Sequence, residues 1–151
     1  LGCLLSHINI IKHAKEKGLS NFLILEDDVS FSENFNNLFE ESVEQLPENW
    51  DMFYLGGRAV NGQNTKITNS IFKSNQVSTT HSYAIKDTAY DLILESNKHE
   101  LAIDSLYTEV VNRKVNTYII SPTITYQEDS FSDIANAHRT YAHLKNRKIQ
   151  L

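Results

Sequence analysis

Three carboxylates stand side by side in this chain. Glu26, Asp27 and Asp28 directly follow the apolar run Phe22-Leu23-Ile24-Leu25 and precede Val29. Adjacent negative charges repel one another and are costly to strip of water, so such a group calls for either full hydration or a cation. Acids after a strand commonly form a solvated turn or a helix cap. Here no Gly, Pro or Asn separates them from the apolar run, which gives the cation equal weight. The run itself reads as a buried strand, central in a parallel sheet. In open α/β sheets, ligands gather at the carboxyl ends of strands.

The elements around the acids follow from periodicity. Leu1 to Lys17 reads as a helix, with Leu4, Leu5, Ile8, Ile11 and Ala14 on one face and Gly18 as its C-terminal cap. His7 lies at the edge of that face and reads as a packed, hydrogen-bonded residue rather than a ligand. Ser30 or Ser32 caps a helix over about Glu33 to Gln45, with Phe35, Leu38, Phe39, Val43 and Leu46 turned inward, and Pro47 ends it. Trp50 to Leu55 reads as an aromatic-rich strand broken by Gly56-Gly57, a turn or a close approach to a ligand. Arg58 reads as solvated, with phosphate contact as the alternative. Asn61 to Asn75 is a loop or weak hairpin anchored by Ile67, Ile71 and Phe72, and Gln76 to Ile85 is strand material. Asp87 and Asp104 cap two further helices, Thr88 to Ser96 and Ser105 to Arg113. Val115 to Ile120 is a strand, and residues 125–134 are polar and without period. Alternating helices and strands imply an α/β fold with a mostly parallel sheet.

Composition narrows the function classes. The chain has 151 residues and a net charge of −5, which argues against nucleic acid as a partner. Cys3 is the only cysteine, so no internal disulfide and no cysteine zinc cluster can form, and a reducing compartment is compatible. No apolar run approaches the roughly 20 residues that span a bilayer, and no signal peptide is evident. Residue 1 is Leu, inside what reads as a helix, so the sequence is expected to continue upstream. Ala135 to Leu151 carries Arg139, Lys145, Arg147 and Lys148. It reads as a solvated tail, with a basic helix at an acidic membrane surface as the alternative.

The order of motifs carries a resemblance. Leu1-Gly2-Cys3-Leu4-Leu5-Ser6-His7 comes first, and Ile24-Leu25-Glu26-Asp27-Asp28-Val29 second. Trp50-Asp51 with Tyr54-Leu55-Gly56, Thr80-His81-Ser82-Tyr83-Ala84-Ile85, Ile103-Asp104 and Ser132-Asp133-Ile134 follow. Together they resemble glycosyltransferase family 25, the lipopolysaccharide and lipooligosaccharide glycosyltransferases related to collagen galactosyltransferases. The resemblance spans residues 1–134 as one partial domain, with 135–151 as a basic tail. Members of that family begin with a strand and an Arg-bearing loop ahead of the first helix, which implies that this domain is truncated at its N-terminus.

The resemblance implies a GT-A-like fold and inverting transfer of a sugar, galactose foremost, from a UDP-sugar donor to a glycan or lipid-linked saccharide acceptor. It matches Glu26-Asp27-Asp28 to the family's Asp-any-Asp motif, and a diphosphate leaving group favours a hard cation, Mn²⁺ or Mg²⁺. Asp28 is expected to bind the metal directly. Glu26 would assist through water or the ribose, on the same side as Asp28 if the strand continues, and Asp27 could do either. An inverting transfer needs a base near the acceptor hydroxyl. Asp104 is the first candidate, with its helix-cap role as the competing reading; Asp129 and Glu128 are alternatives. His81 could touch metal or substrate, or be structural. Gln127 could touch the sugar or diphosphate, or be a loop residue. Bacterial relatives imply a cytoplasmic location at the inner face of the inner membrane, with peripheral attachment. Two other readings compete. One is a non-catalytic chain that binds a glycan or partner. The other is a phosphoacceptor receiver module, which lacks its strand-end Asp at Gly56-Gly57 and its Lys before Pro122.

Overall fold

The computed structural model describes residues 2–60, 64–97 and 101–128, together with the backbone of two short strands at 130–132 and 137–139. The chain opens with helix α1 (Gly2–Glu16). Gly18 ends it at φ 66°, with the Leu19 N–H donating to the Ala14 carbonyl and the Gly18 N–H to that of Lys15. These are the paired bonds of a left-handed glycine cap. Strands β1 (Asn21–Leu25) and β2 (Val29–Phe31) follow, then helix α2 (Phe35–Gln45). Next come β3 (Met52–Tyr54), β4 (Arg58–Ala59), β5 (Thr65–Lys66), β6 (Ile71–Lys73), β7 (Val77–Ser78) and β8 (Ser82–Lys86). A 3₁₀ turn at Asp87–Ala89 leads into α3 (Tyr90–Ser96). Helix α4 (Ile103–Leu106) runs on through a wide π turn, Tyr107–Val111. The series closes with β9 (Thr117–Ile120), β10 (Thr125–Gln127), β11 (Ser130–Ser132) and β12 (Ala137–Arg139).

Six strands form the central sheet in the order β1-β8-β3-β9-β6-β5. The expected mostly parallel arrangement is overturned, since only β3 and β9 run parallel and the other four pairings are antiparallel. Strand β1 is not central either. It pairs on one side with β8 and forms the sheet edge among the described residues, with Ile24 its only buried side chain. A hydrophobic run cannot by itself distinguish a two-face-buried strand from an edge strand covered by a helix.

Alternation along β3 sends Met52 and Tyr54 to one face and Phe53, followed by Leu55, to the other. The first face packs α1, α3 and α4 through Leu4, Ile8, Ile11, Ile93 and Leu106; the second packs α2 through Phe35, Leu38 and Phe39. The result is a three-layer α/β/α arrangement.

Several local expectations shift. Helix α2 starts after Asn34, which makes no side-chain cap bond, so neither Ser30 nor Ser32 caps it. Leu5, Val43 and Ile67 face solvent instead of the core. Asp104 is not a cap: Ala102 holds that position, and Asp104 sits in the first turn. Asp87 likewise opens the 3₁₀ turn without a side-chain cap bond. The stretch from Gln76 to Ile85 is two strands separated by Thr79, at φ 73°. The polar stretch after Pro122 contains β10, antiparallel to β2. Of the expected tail, only β12 lies among the described residues, and it is a strand rather than helix. Among the described residues, no helix is long and apolar enough to cross a membrane.

Candidate functional site at the end of strand β1

Strand β1 ends at Leu25, and the acids occupy the turn into β2, closed by a bond from the Val29 N–H to the Glu26 carbonyl. Extended alternation therefore stops before Glu26, and the three carboxylates separate. Asp27 is exposed. Asp28 is half-buried. Glu26 is half-buried and turned toward α1 and the segment before β8.

Glu26 makes its contacts through one oxygen. Its Oε1 lies 3.1 Å from His7 Nε2, accepts the Thr80 hydroxyl at 2.8 Å, and has Cys3 Sγ at 3.9 Å. Burial alone would raise its pKa, but the bonds from His7 and Thr80 outweigh that and hold it below the ordinary glutamate value. Behind it, His7 Nδ1 lies 2.6 Å from the Tyr83 hydroxyl, which sits 3.1 Å from the Tyr107 hydroxyl. Tyr83 is fully buried, stacks on His7 and Tyr54, and meets Tyr107 edge-on. Burial drives the Tyr83 and Tyr107 hydroxyls well above their ordinary range, so both remain neutral donors and acceptors.

Asp28 is different. Its Oδ2 accepts the Gln127 amide at 3.1 Å, while its Oδ1 is buried with no hydrogen-bond partner. Burial pushes its pKa up; the Gln127 bond works against this, and the charge of Glu26 adds to it. A buried carboxylate oxygen without a donor is costly unless it takes a proton or a cation. The Asp28–Gln127 contact rests on the β2–β10 ribbon, in which Gln127 pairs with Val29, and on the Glu128 N–H donating to the Asp28 carbonyl.

His81 is buried beside this turn, and its carbonyl accepts the Glu26 N–H. Neither ring nitrogen makes a well-aligned hydrogen bond. Burial lowers its pKa, with the adjacent Thr125 backbone acting in the opposite sense, so the ring is neutral at physiological pH. The ring owes its position to Gly56. A Cβ there would stand 2.1 Å from His81 Nε2, 2.4 Å from Thr125 Oγ1 and 2.6 Å from the Thr125 carbonyl. The close approach at Gly56 is thus to His81 and Thr125, within the protein.

Asp104 is exposed, and its Oδ1 accepts the Ser105 N–H at 2.9 Å. It sits on α4, which packs against α1. Arg58 is exposed on β4. Glu128 adjoins the site through its backbone and accepts the Ser30 hydroxyl, whereas Asp129 lies outside the described residues.

The structure brings Glu26, Asp28, His81 and Gln127 together. It adds Cys3, His7, Thr80, Tyr83 and Tyr107, which the sequence did not single out as site residues. The one available signal was Cys3 and His7 four apart on a helix, a spacing that puts both on one face.

The chain matches the model of glycosyltransferase family 25 (LPS biosynthesis protein) over residues 1–125, and it belongs to that family. A human protein named inactive glycosyltransferase 25 family member 3 is 42% identical over 64 residues, 40% of this chain and 11% of that protein. The bovine probable inactive member 3 is 32% identical over 74 residues, covering 47% and 12%. Zebrafish procollagen galactosyltransferase 1 is 40% identical over 60 residues, covering 37% and 10%. The matched segment spans about a tenth of these relatives.

Proposed function

We propose that this chain carries the metal-binding half of a glycosyltransferase site that moves a hexose, galactose foremost, from a UDP-sugar to a saccharide acceptor with inversion. The observation behind this is Asp28 Oδ1, a buried carboxylate oxygen with no partner at the end of β1, in a family of glycosyltransferases. The donor set fits a hard divalent cation, Mn²⁺ or Mg²⁺, because it offers carboxylate oxygens, one of them already desolvated. Asp28 would hold that ion, with Asp27 exposed beside it to reach the ion or its waters. Bound there, it would offset the negative charge growing on a departing diphosphate.

The protein's own groups divide the remaining work. Gln127 fixes the Asp28 carboxylate through Oδ2 and leaves Oδ1 to the ion. Glu26, bonded through Oε1 to His7 and Thr80, positions the turn and would assist the ion through water or the ribose rather than bind it directly. His81, neutral and buried, supports the turn through its carbonyl. Asp104, exposed at the start of α4, is the base assigned to take the proton of the acceptor hydroxyl. A cytoplasmic, membrane-peripheral setting with a lipid-linked acceptor agrees with the family's LPS biosynthesis description.

Calorimetry of UDP-galactose with and without Mn²⁺, on wild type and Asp28→Asn, tests the reading. Metal-dependent binding that Asp28→Asn abolishes is expected; binding unchanged by the substitution would overturn the assignment. A second reading, binding without transfer, is favoured by the names of the human and bovine relatives. Nucleotide binding without release of UDP in the presence of acceptors would select it.

A further inference from the structure

Three donors of different chemistry meet on the inner side of the acidic turn. Cys3 Sγ, His7 Nε2 and a Glu26 carboxylate oxygen all lie within 4.8 Å of one another. The nitrogen and oxygen are 3.1 Å apart, and the sulfur and oxygen 3.9 Å. Zinc bound at about 2.0–2.3 Å places its tetrahedral ligands roughly 3.3–3.7 Å apart. Those two edges bracket that range, and the sulfur–nitrogen edge closes the triangle within 4.8 Å. We propose that Cys3, His7 and Glu26 form a binding site for a borderline-soft divalent ion, Zn²⁺ by chemistry, separate from the hard-ion position at Asp28.

Four features support a site rather than a chance meeting. Cys3 and His7 lie one turn apart on α1, so a rigid element presents both toward Glu26. His7 is buried, and its other nitrogen lies 2.6 Å from the Tyr83 hydroxyl. A partner of that kind holds a ligating imidazole in its tautomer and plane. Thr80 steadies the Glu26 carboxylate in the same way. Finally, Cys3 and Glu26 are each only partly buried, so an ion can enter and water can complete the fourth position.

The donor set also sorts the ions. Thiolate and imidazole favour Zn²⁺ or Co²⁺ over Mg²⁺ and Mn²⁺, whereas carboxylate oxygens such as those of Asp28 and Asp27 favour the reverse. An ion here would clamp the start of α1 to the end of β1 and stop Glu26 from turning toward Asp28.

Co²⁺ titration of the full-length, metal-stripped protein tests this without any nucleotide, so its outcome is independent of the glycosyltransferase reading. One equivalent of Co²⁺ with a near-ultraviolet thiolate-to-cobalt band, displaced by Zn²⁺, is expected. Asp28→Asn should keep the band, and Cys3→Ser should lose it. Tyr83→Phe, which removes only a buried hydroxyl, should weaken Co²⁺ binding about 10–100-fold. No thiolate band in the wild type, or Co²⁺ affinity unchanged in both Cys3→Ser and His7→Gln, would overturn the proposal.

Discussion

His7 and Glu26, on α1 and at the end of β1, meet at 3.1 Å, and His7 passes the contact on to Tyr83 at 2.6 Å. A surface turn is thereby wired to the aromatic centre of the molecule. His7→Phe keeps the ring and removes both bonds, which leaves Glu26 and Tyr83 each short of a partner. Thr80 still serves Glu26 and Tyr107 still serves Tyr83, so a loss of about 1 kcal/mol per missing bond is expected in urea unfolding. Glu26 also gives this loss a pH signature. Its folded pKa is lowered, so its contribution is full above the ordinary glutamate value and fades as pH falls through the folded one. Wild type should therefore lose stability in acid more steeply than His7→Phe. Parallel acid slopes would show that the pair carries no such linkage.

Asp28 should behave in the opposite sense. Its folded pKa is raised, so the stability linked to it is present below the ordinary aspartate value and lost as pH rises through the folded one. With chelator present, Asp28→Asn should melt higher than wild type at neutral pH and match it in acid. Melting curves across that window, compared as the difference between the two proteins, decide it.

Gln127 touches Asp28 through one amide hydrogen bond. Gln127→Ala should leave the fold intact and weaken Mn²⁺-dependent nucleotide binding about 10–100-fold, the usual effect of losing a residue that orients a ligand. Calorimetry at fixed metal concentration reads the change directly.

Gly56→Ala should be severely destabilising, beyond the roughly 1–3 kcal/mol usual for overpacking. Two of the three atoms it would strike belong to Thr125, and one of those is backbone. The double variant Gly56→Ala with His81→Ala should therefore recover only part of the loss in denaturant midpoint. Full recovery would mean that the Thr125 segment yields easily.

Thr79, at φ 73° with its hydroxyl buried and unpartnered, is strained. Thr79→Gly should be neutral or stabilising by up to about 1 kcal/mol, against the usual cost of introducing glycine into a strand. Equilibrium unfolding measures the sign.

How legible was this in the sequence? The amphipathic stripe of α1 and its Gly18 cap could be read because both depend on local geometry. The acidic turn could be located because three adjacent charges are conspicuous in any context. Sheet direction could not be read. Ile24 and its neighbours look alike whether the strand is central or at an edge, and its β8 partner Tyr83 arrives antiparallel from 59 positions on. The roles of Glu26 and Asp28 likewise depended on partners distant in the chain. His7 and Thr80 bind one acid, and Gln127 binds the other. Asp104, read as a cap, lies in the first turn instead, because Ala102 supplies the extended backbone that starts α4.

Those partners also set a folding order. Asp28 and Gln127 lie 99 positions apart, and His7 and Tyr83 lie 76 apart. Closing such loops is entropically uphill until the intervening sheet exists, so contacts of this span consolidate late. On the ribosome Glu26 follows its α1 partners His7 and Cys3 but lacks Thr80 until the start of β8 emerges, and Asp28 lacks Gln127 until β10 emerges. During that interval Asp28 is simply a hydrated charge. Its buried, unpaired oxygen is thus a property acquired only when β10 docks on β2, and ion binding at this turn would report that docking.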